Sequence, residues 1–313
     1  MRILVIAEKQ KIAQPFVDAM KAKGIKANYL RILKISLVSK HGNTLIKALG
    51  EDIPKYDAVF IQARVSLAPF IEPLLEELKR KEVYVNCLPG AYFIAMNAPY
   101  KFVCLSLAGV KTPKTLTSGS AKNIERVSKT ISYPLLAKSF KGRDVQQSMV
   151  VENERELNSF VNSIKHNLDG FMLREFIKGD MLSCAVIGEK VFAVSRKING
   201  YNVSDLEKGI CSKPSEEESR EAIAASKACG FDIAWVDLVN GRVVKVEPEL
   251  PWKKFNKLCS ENLEESVANF FIDKINEKGV KKNAIDDIKD LSKALSKTIF
   301  SRLLKWNPRW TLQ

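Results

Sequence analysis

Histidine is scarce in this chain, with only His41 and His166 among 313 residues. Neither lies at zinc-ligand spacing from a partner, so a histidine metal site or a Ser-His-Asp triad is not expected, and we expect both in loops or at the surface. The cysteines stand singly without a CxxC pair: Cys87, Cys104, Cys184, Cys211, Cys229 and Cys259. This pattern favours reduced, mostly buried thiols over a disulfide framework or a zinc site.

Long apolar runs are also absent. The longest, such as residues 2–7 and 56–63, are far shorter than the roughly 20 residues that span a bilayer. The N-terminus has the pattern of a strand and lacks the apolar region and cleavage site of a signal peptide. These features predict a cytoplasmic protein without a transmembrane segment.

The charge is strongly basic, with 50 Lys and Arg against 36 Asp and Glu, a net charge of +14. Such a charge is compatible with polyphosphates, acidic small molecules, nucleic acids or anionic membranes. The basic residues are spread along the whole chain without interleaved aromatics or a nucleic-acid motif. A generally solvated basic surface is therefore favoured, and no nucleic-acid partner is expected.

The order of patterns predicts an α/β fold. In the first 90 residues, strands at 2–7, 55–63 and 82–87 alternate with helices at 11–23 and 67–81, which is typical of a doubly wound parallel sheet. Further on, we predict a helix ending at Gly109, strands near 133–140 and 146–153, a helix from 153 and a strand from 170. A hairpin turning at Gly188-Glu189 follows, then a helix with a capping box at Ser215 and Glu218 and a stop at Gly230.

The C-terminal tail carries apolar residues three and four positions apart: Ile285, Ile288, Leu291, Leu295, Ile299, Leu303 and Trp306. Lys and Arg residues lie on the other face, so an amphipathic helix is predicted. Docking of this helix on the body of the protein is favoured over a role at a membrane surface or in partner binding.

The stretch IAWVDLVNGRVVKVEPE, residues 233–249, predicts a hairpin through Asn240-Gly241. A two-residue loop would mix Lys245 with apolar side chains, whereas a three-residue loop would pair Leu238 with Val244 and Val236 with Val246. The second register makes one face apolar and places Asp237, Lys245, Glu247 and Glu249 on the other, so we favour it.

Three carboxylates on one sheet face repel one another, and a cation would balance them. Their hard oxygen atoms favour Mg²⁺ or Mn²⁺ over zinc. The alternative is a solvent-facing surface on which Lys245 neutralises its neighbours.

From these motifs the chain resembles the ATP-grasp superfamily, in its RimK/LysX-like branch, over residues 1 to about 275. The resemblance rests on the order of YDAVFIQARV, the NAPYKF helix start, YPLLAKSFKGRDV, FMLREFIKGD and the hairpin of residues 233–249, which we call the carboxylate hairpin. It implies an N-terminal pre-ATP-grasp domain at 1–91, a lysine-bearing subdomain at 92–173, a C-terminal subdomain at 174–275 and a helical extension at 276–313.

The resemblance also implies roles for individual residues. Lys101, Lys138 and Arg143 would contact ATP phosphates, and Glu175, Phe176, Ile177 and Asp180 would contact adenine and ribose. Asp237, Glu247 and Glu249 would bind Mg²⁺ or Mn²⁺, and Arg196 would be the catalytic cation that meets the transferred phosphate or substrate carboxylate; a surface arginine at a strand end is the alternative for Arg196.

The implied function is a Mg-ATP-dependent ligase that joins an amine, in the form of a glutamate-like amino acid, to a carboxylate through an acyl phosphate. Small-molecule substrates and possible homo-oligomerisation are expected. The chain departs from the family in having Glu249 where asparagine is usual, Leu182 where arginine is usual and only Gly142 in the phosphate loop. A degenerate nucleotide- or anion-binding module is therefore the alternative function.

Overall fold

The computed structural model describes residues 1–141, 144–163 and 170–280. The chain divides into two compact units, Met1–Phe270 and Phe271–Gln313. Arg143, Gly142, His166 and the apolar tail positions from Ile285 onward lie outside the described residues, so the predictions for them stay predictions. No described helix is long and apolar enough to cross a membrane.

Helices and strands alternate along most of the described chain. The helices are α1 Gln10–Ala22, α2 Ala68–Arg80, α3 Ala91–Met96, α4 Ala98–Leu107, α5 Ala121–Ser128, α6 Glu154–Ser163, α7 Glu216–Ala228, α8 Trp252–Cys259 and α9 Leu263–Val280. The strands begin with β1 Arg2–Ala7, β2 Lys26–Arg31, β3 Ile35–Lys40, β4 Asn43–Ala48, β5 Glu51–Asp52, β6 Ala58–Gln62, β7 Tyr84–Val85, β8 Thr115–Ser118 and β9 Leu135–Lys141. They continue with β10 Asp144–Val151, β11 Gly170–Glu175, β12 Met181–Ile187, β13 Lys190–Arg196, β14 Ile198–Asn199, β15 Asn202–Val203, β16 Ile210–Ser212, β17 Ile233–Val239 and β18 Arg242–Glu247.

The N-terminal sheet is parallel, in the order β2-β1-β6-β7. Phe60 of β6 points to one face, where its ring meets Phe16 of α1 at 5.0 Å between centroids. Val59 and Ile61 point to the other face and share a core with residues of α2, because side chains alternate along a strand. A helix thus covers each face of this sheet.

Residues 26–52 contain strands that the sequence patterns did not predict. β2 joins the parallel sheet, and β3, β4 and β5 form a separate antiparallel sheet. His41, with a φ of 46°, lies in the exposed two-residue turn between β3 and β4, as expected for a loop histidine.

Two antiparallel sheets follow in the order β10-β9-β11-β8 and β16-β13-β12-β17-β18. In the first, Leu135, Ala137, Phe171 and Leu173 pack with α5 and α6. In the second, the inner residues of β17 and β18 pack with α7. The predicted domain boundary at residue 173 falls inside β11, and the four-part division stays a prediction.

Local signals placed several elements correctly. Ser215 accepts the Glu218 N–H at 3.2 Å, and the Glu218 carboxylate accepts the Ser215 N–H at 2.9 Å, which confirms the capping box of α7. The β12–β13 hairpin turns at Gly188-Glu189, because Ile187 pairs with Lys190.

The expectation of reduced thiols throughout was wrong. Cys211 and Cys259 form a disulfide across 48 positions of sequence. β16, which carries Cys211, lies beside β13, and α8, which carries Cys259, packs against both strands. Among the described residues the free thiols are Cys87, Cys184 and Cys229, which are buried, and Cys104, which is partly buried.

Candidate functional site

The carboxylate hairpin turns through two residues and not three. Val239 pairs with Arg242, and both Asn240 (φ 48°) and Gly241 (φ 71°) adopt left-handed backbone conformations. Such turns match the twist of paired strands and are the commonest hairpin connections. The predicted pairing of Leu238 with Val244 is therefore wrong, since Leu238 lies opposite Val243.

A bulge at Val244 restores the predicted register beyond the turn. Val236 lies opposite Val246, as predicted, and Asp237 lies opposite Lys245. A bulge places two residues of one strand against one of its partner, so the extra residue compensates for the shorter loop. One face of the hairpin is consequently apolar, and the other carries Asp237, Lys245 and Glu247 along with Trp235.

Lys101 is brought to this polar face by α4. Its side chain is buried, and its Nζ lies 2.8 Å from the carbonyl oxygen of Val246 and 3.1 Å from Oε1 of Glu247. Burying a charged group is costly unless it has such partners. The predicted phosphate-binding lysine and a predicted metal ligand thus form one ion pair.

Lys138 lies on the face of β9 opposite its packed core. Burial, followed by the positive charges of Arg174 and Lys101, lowers the pKa of Lys138 from 10.5 to about 8, while Glu247 acts in the other direction. Three cations therefore converge near one carboxylate, an arrangement that a polyphosphate would neutralise.

Asp237 is buried, at 2% exposure, and is fully engaged. Its Oδ1 accepts hydrogen bonds of 2.6 Å from both the Ser183 hydroxyl and the Trp235 indole N–H. Its Oδ2 lies 3.2 Å from Nη2 of Arg196, whose Nε donates to Ser183 at 2.8 Å. The predicted catalytic arginine and a predicted metal ligand are thus paired with each other.

Glu249 follows the end of β18 and lies toward the N-terminal sheet. Burial of its carboxyl group, followed by repulsion from Glu247 and Glu8, raises the pKa of Glu249, while the Val65 N–H and Arg64 act against this. Glu8 pairs with Arg64, with Nε 2.9 Å from each carboxylate oxygen. The last predicted ligand is therefore surrounded by both signs of charge.

The three predicted metal ligands are not gathered into one cluster. Across residues 1–141, 144–163 and 170–280, no group of three or more His, Cys, Asp and Glu side chains lies close enough to hold a metal ion. Glu247 and Glu249 are nevertheless close enough for their charges to interact. Two carboxylates with hard oxygen donors fit Mg²⁺, which commonly takes one or two carboxylates and completes its shell with phosphate oxygens and water.

The predicted adenine-side residues lie where β11 ends. Glu175 accepts the Lys114 N–H at 3.1 Å, and its Oε2 lies 3.5 Å from Nη1 of Arg242. The Phe176 N–H donates to the Pro134 carbonyl at 2.9 Å, and its ring packs edge-on against Tyr201.

The other two residues predicted to contact adenine or ribose, Ile177 and Asp180, differ in their exposure to solvent. Ile177 is half-buried, and Asp180 is exposed and pairs with Lys197 at 2.6 Å. These residues continue the connection between β11 and β12, which joins the two antiparallel sheets. Asp180 is thus held by a surface ion pair, which contributes little in water.

Sequence reasoning missed Ser183, Trp235 and Arg174. Trp235 could have been found from strand alternation, since it lies two positions before Asp237. Ser183 could not, because its place directly opposite Asp237 depends on the register of β12 against β17. Arg174 follows the apolar run of β11, and its position on the same face as Met172 was its only signal.

Comparisons with known proteins identify the family to which this chain is similar. The family model described as a RimK-like ATP-grasp domain matches residues 98–269. A probable alpha-L-glutamate ligase of Vibrio vulnificus (strain YJ016) is 24% identical over 258 residues, covering 78% of this chain and 86% of the relative. One from Haemophilus influenzae (strain ATCC 51907 / DSM 11121 / KW20 / Rd) is 26% identical over 263 residues, covering 77% and 86%.

Solved structures share the fold at low identity. The ATP-grasp ligase PsnB, complexed with a phosphomimetic variant of its minimal precursor, Mg and ADP, matches with a TM-score of 0.66 at 14% identity, covering 87% of this chain and 98% of PsnB. The D-alanine–D-alanine ligase of Bacillus anthracis complexed with ATP matches with a TM-score of 0.55 at 18% identity, covering 89% and 99%. These matches establish the ATP-grasp fold.

Proposed function

The chain belongs to the RimK-like ATP-grasp family of ATP-dependent carboxylate–amine ligases, and from this premise we propose that it joins a glutamate-like amino acid to a substrate carboxylate through an acyl phosphate. The observation that carries the proposal is the convergence of Lys101, Lys138 and Glu247. Lysines from two elements and a carboxylate from a third suit a metal-bound triphosphate.

In the first step, an oxygen of the substrate carboxylate attacks the γ-phosphorus of ATP. The bond from this phosphorus to the β–γ bridging oxygen breaks, which yields an acyl phosphate and ADP. Lys101 and Lys138 would hold the phosphates in line, and Arg196 would meet the transferred group. In the second step, the amine nitrogen attacks the acyl carbon, phosphate leaves and the nitrogen loses a proton, so that an amide forms.

Glu247 and Glu249 would hold Mg²⁺. When bound, this ion would neutralise negative charge on the phosphoryl oxygens. Asp237 would join them only after release by Arg196, because both of its oxygens are engaged. Phe176 and Ile177 would offer backbone groups to adenine, and Glu175 and Asp180 would contact the nucleoside. A small-molecule substrate pair, a cytoplasmic location and a possible homo-oligomer complete the proposal.

The second candidate is a nucleotide-binding module without turnover. The observation that favours it is the Arg196–Asp237 pair, which withdraws a candidate metal ligand and a candidate catalytic cation together. In this case Mg-ATP would bind without a reaction, and no substrate would stimulate ADP release.

The test is ADP release from Mg-ATP by the full chain, measured across pools of amino acids combined with small carboxylic acids. Glu247→Gln is the test variant, and Glu189→Gln, on an exposed turn, is the matched control. Stimulation by one pool that is lost only in Glu247→Gln supports the ligase. A rise in melting temperature with Mg-ATP but no ADP release supports the binding module, and the absence of both contradicts each candidate.

A further inference from the structure

Arg174 lies on β11 beside the predicted lysines but has no assigned role. It shares a strand face with Met172, and Met172 lies directly opposite Lys138 on β9. The opposite face of β11 packs into the core with Phe171 and Leu173. Arg174 therefore points to the same side as Lys138, away from the core that α5 and α6 cover.

The guanidinium of Arg174 connects three elements. Its Nη1 donates to the carbonyl of Val244 at 2.7 Å, and its central carbon lies 5.0 Å from the ring centroid of Phe102 on α4. Val244 is the bulge residue of the carboxylate hairpin, and Phe102 adjoins Lys101. Arg174 thus contacts the elements that carry Glu247 and Lys101 while its own strand adjoins the one that carries Lys138.

One donor atom of Arg174, Nε, is buried and has no hydrogen-bond partner among the residues that the structure describes. A buried donor without a partner is unfavourable, particularly on a charged group. An anionic acceptor bound beside Lys138 and within reach of this Nε would satisfy it and would balance the accumulated positive charge.

We propose that Arg174 is a nucleotide-positioning residue, which ties β11 to the carboxylate hairpin and α4 and donates its Nε–H to a nucleoside polyphosphate. The inference rests on the proposed nucleotide site. It adds a third cation to Lys101 and Lys138, with a planar group that can brace a carbonyl and bind an oxyanion at the same time.

The experiment compares binding of Mg-ADP, a non-hydrolysable Mg-ATP analogue and adenosine to the full chain by calorimetry. The variants are Arg174→Gln and Arg174→Lys, and the matched control is Arg220→Gln on the exposed surface of α7. We expect Arg174→Gln to weaken binding of both polyphosphates about 10- to 100-fold, the range for a charged hydrogen bond. Arg174→Lys should restore part of this loss, and adenosine binding should change less than about twofold.

A role limited to scaffolding would weaken adenosine and the polyphosphates equally, and this result would overturn the phosphate contact. Unchanged polyphosphate binding in Arg174→Gln would overturn the whole inference while leaving the proposed function intact. Failure of the unaltered chain to bind any nucleotide would overturn both. If Arg174→Gln does not fold, Phe102→Leu tests whether the contact with the Phe102 ring positions the Arg174 guanidinium. We expect this variant to raise the Kd for the polyphosphates a few-fold. An unchanged Kd would count against that positioning.

Where turnover is measurable, the steady-state constants give a further readout. We expect Arg174→Gln to raise KM for ATP more than it lowers kcat, because the contact with the nucleotide exists before the transition state. An equal fall in kcat and kcat/KM with KM unchanged would contradict this assignment.

Discussion

Removing the carboxylate of Asp237 should destabilise the protein far more than removing a surface carboxylate. Asp237 is 2% exposed and accepts hydrogen bonds from Ser183, Trp235 and Arg196. The variant Asp237→Ala leaves the guanidinium of Arg196 in place, also nearly buried, without its counter-charge. Breaking one side of a buried pair lowers the free energy of unfolding by about 3–5 kcal/mol.

The hydrogen bonds of Asp237 predict a loss of unfolding free energy of similar magnitude. A hydrogen bond to a charged group contributes about 1.5–3 kcal/mol, and Asp237 accepts three that are geometrically distinct. These contributions are not additive, since all three belong to one network. A loss of about 4 kcal/mol is therefore the central expectation, near the middle of the range for a broken buried pair.

The assay is urea unfolding followed by circular dichroism, with EDTA present so that metal binding does not contribute. Glu189→Ala, which removes an exposed partner of Lys227, should lower the free energy of unfolding by less than about 1 kcal/mol. The double variant Asp237→Ala/Arg196→Met should recover much of the loss, because apolar replacement of a buried pair is often neutral. A loss below about 1 kcal/mol in Asp237→Ala would refute the reasoning.

Four further predictions concern other parts of the molecule. The folded pKa of Lys138 is about 8 against its usual 10.5, so the unfolded chain holds this proton more tightly. The free energy of unfolding should therefore rise as pH increases from about 8 to 10.5. Urea titrations of Lys138→Met should no longer show that increment. Affinity for Mg-ADP should fall as pH rises through about 8, where the folded protein loses the charge on Lys138. A calorimetric Kd that does not change there would count against a phosphate contact. Reduction of the Cys211–Cys259 disulfide should lower the free energy of unfolding by roughly 4 kcal/mol, from the chain entropy of a 48-residue separation, and Cys211→Ser/Cys259→Ser should make stability insensitive to reductant. Ser215→Ala should lower the free energy of unfolding by about 1 kcal/mol through loss of the α7 cap. An unchanged urea midpoint would argue against the capping box.

Local signals were read correctly from sequence where one short segment determines the structure. The capping box of α7 depends only on Ser215 and Glu218, and the turn of the carboxylate hairpin depends on Asn240-Gly241. The loop length was wrong because the apolar pattern alone could not distinguish a longer loop from a shorter loop with a bulge at Val244. Both place Val236 opposite Val246.

Features that depend on distant segments were harder to predict. The Cys211–Cys259 disulfide arises because α8 packs beside β16, a relation that cysteine spacing does not encode. Strands such as β2 alternate too weakly to stand out from surface residues. The pairing of Arg196 with Asp237 requires the register of β12 between β13 and β17, so the sequence indicated the two charges but not their contact.

The transfer of a carboxylate oxygen to phosphate tests the central claim most directly. The measurement uses ¹⁸O in the carboxylate of the substrate pair that stimulates ADP release and follows the label by mass spectrometry. Attack on the γ-phosphorus predicts one ¹⁸O in each released phosphate, together with ADP and the amide. Label retained in the product with unlabelled phosphate, or formation of AMP in place of ADP, would contradict an acyl phosphate at this site.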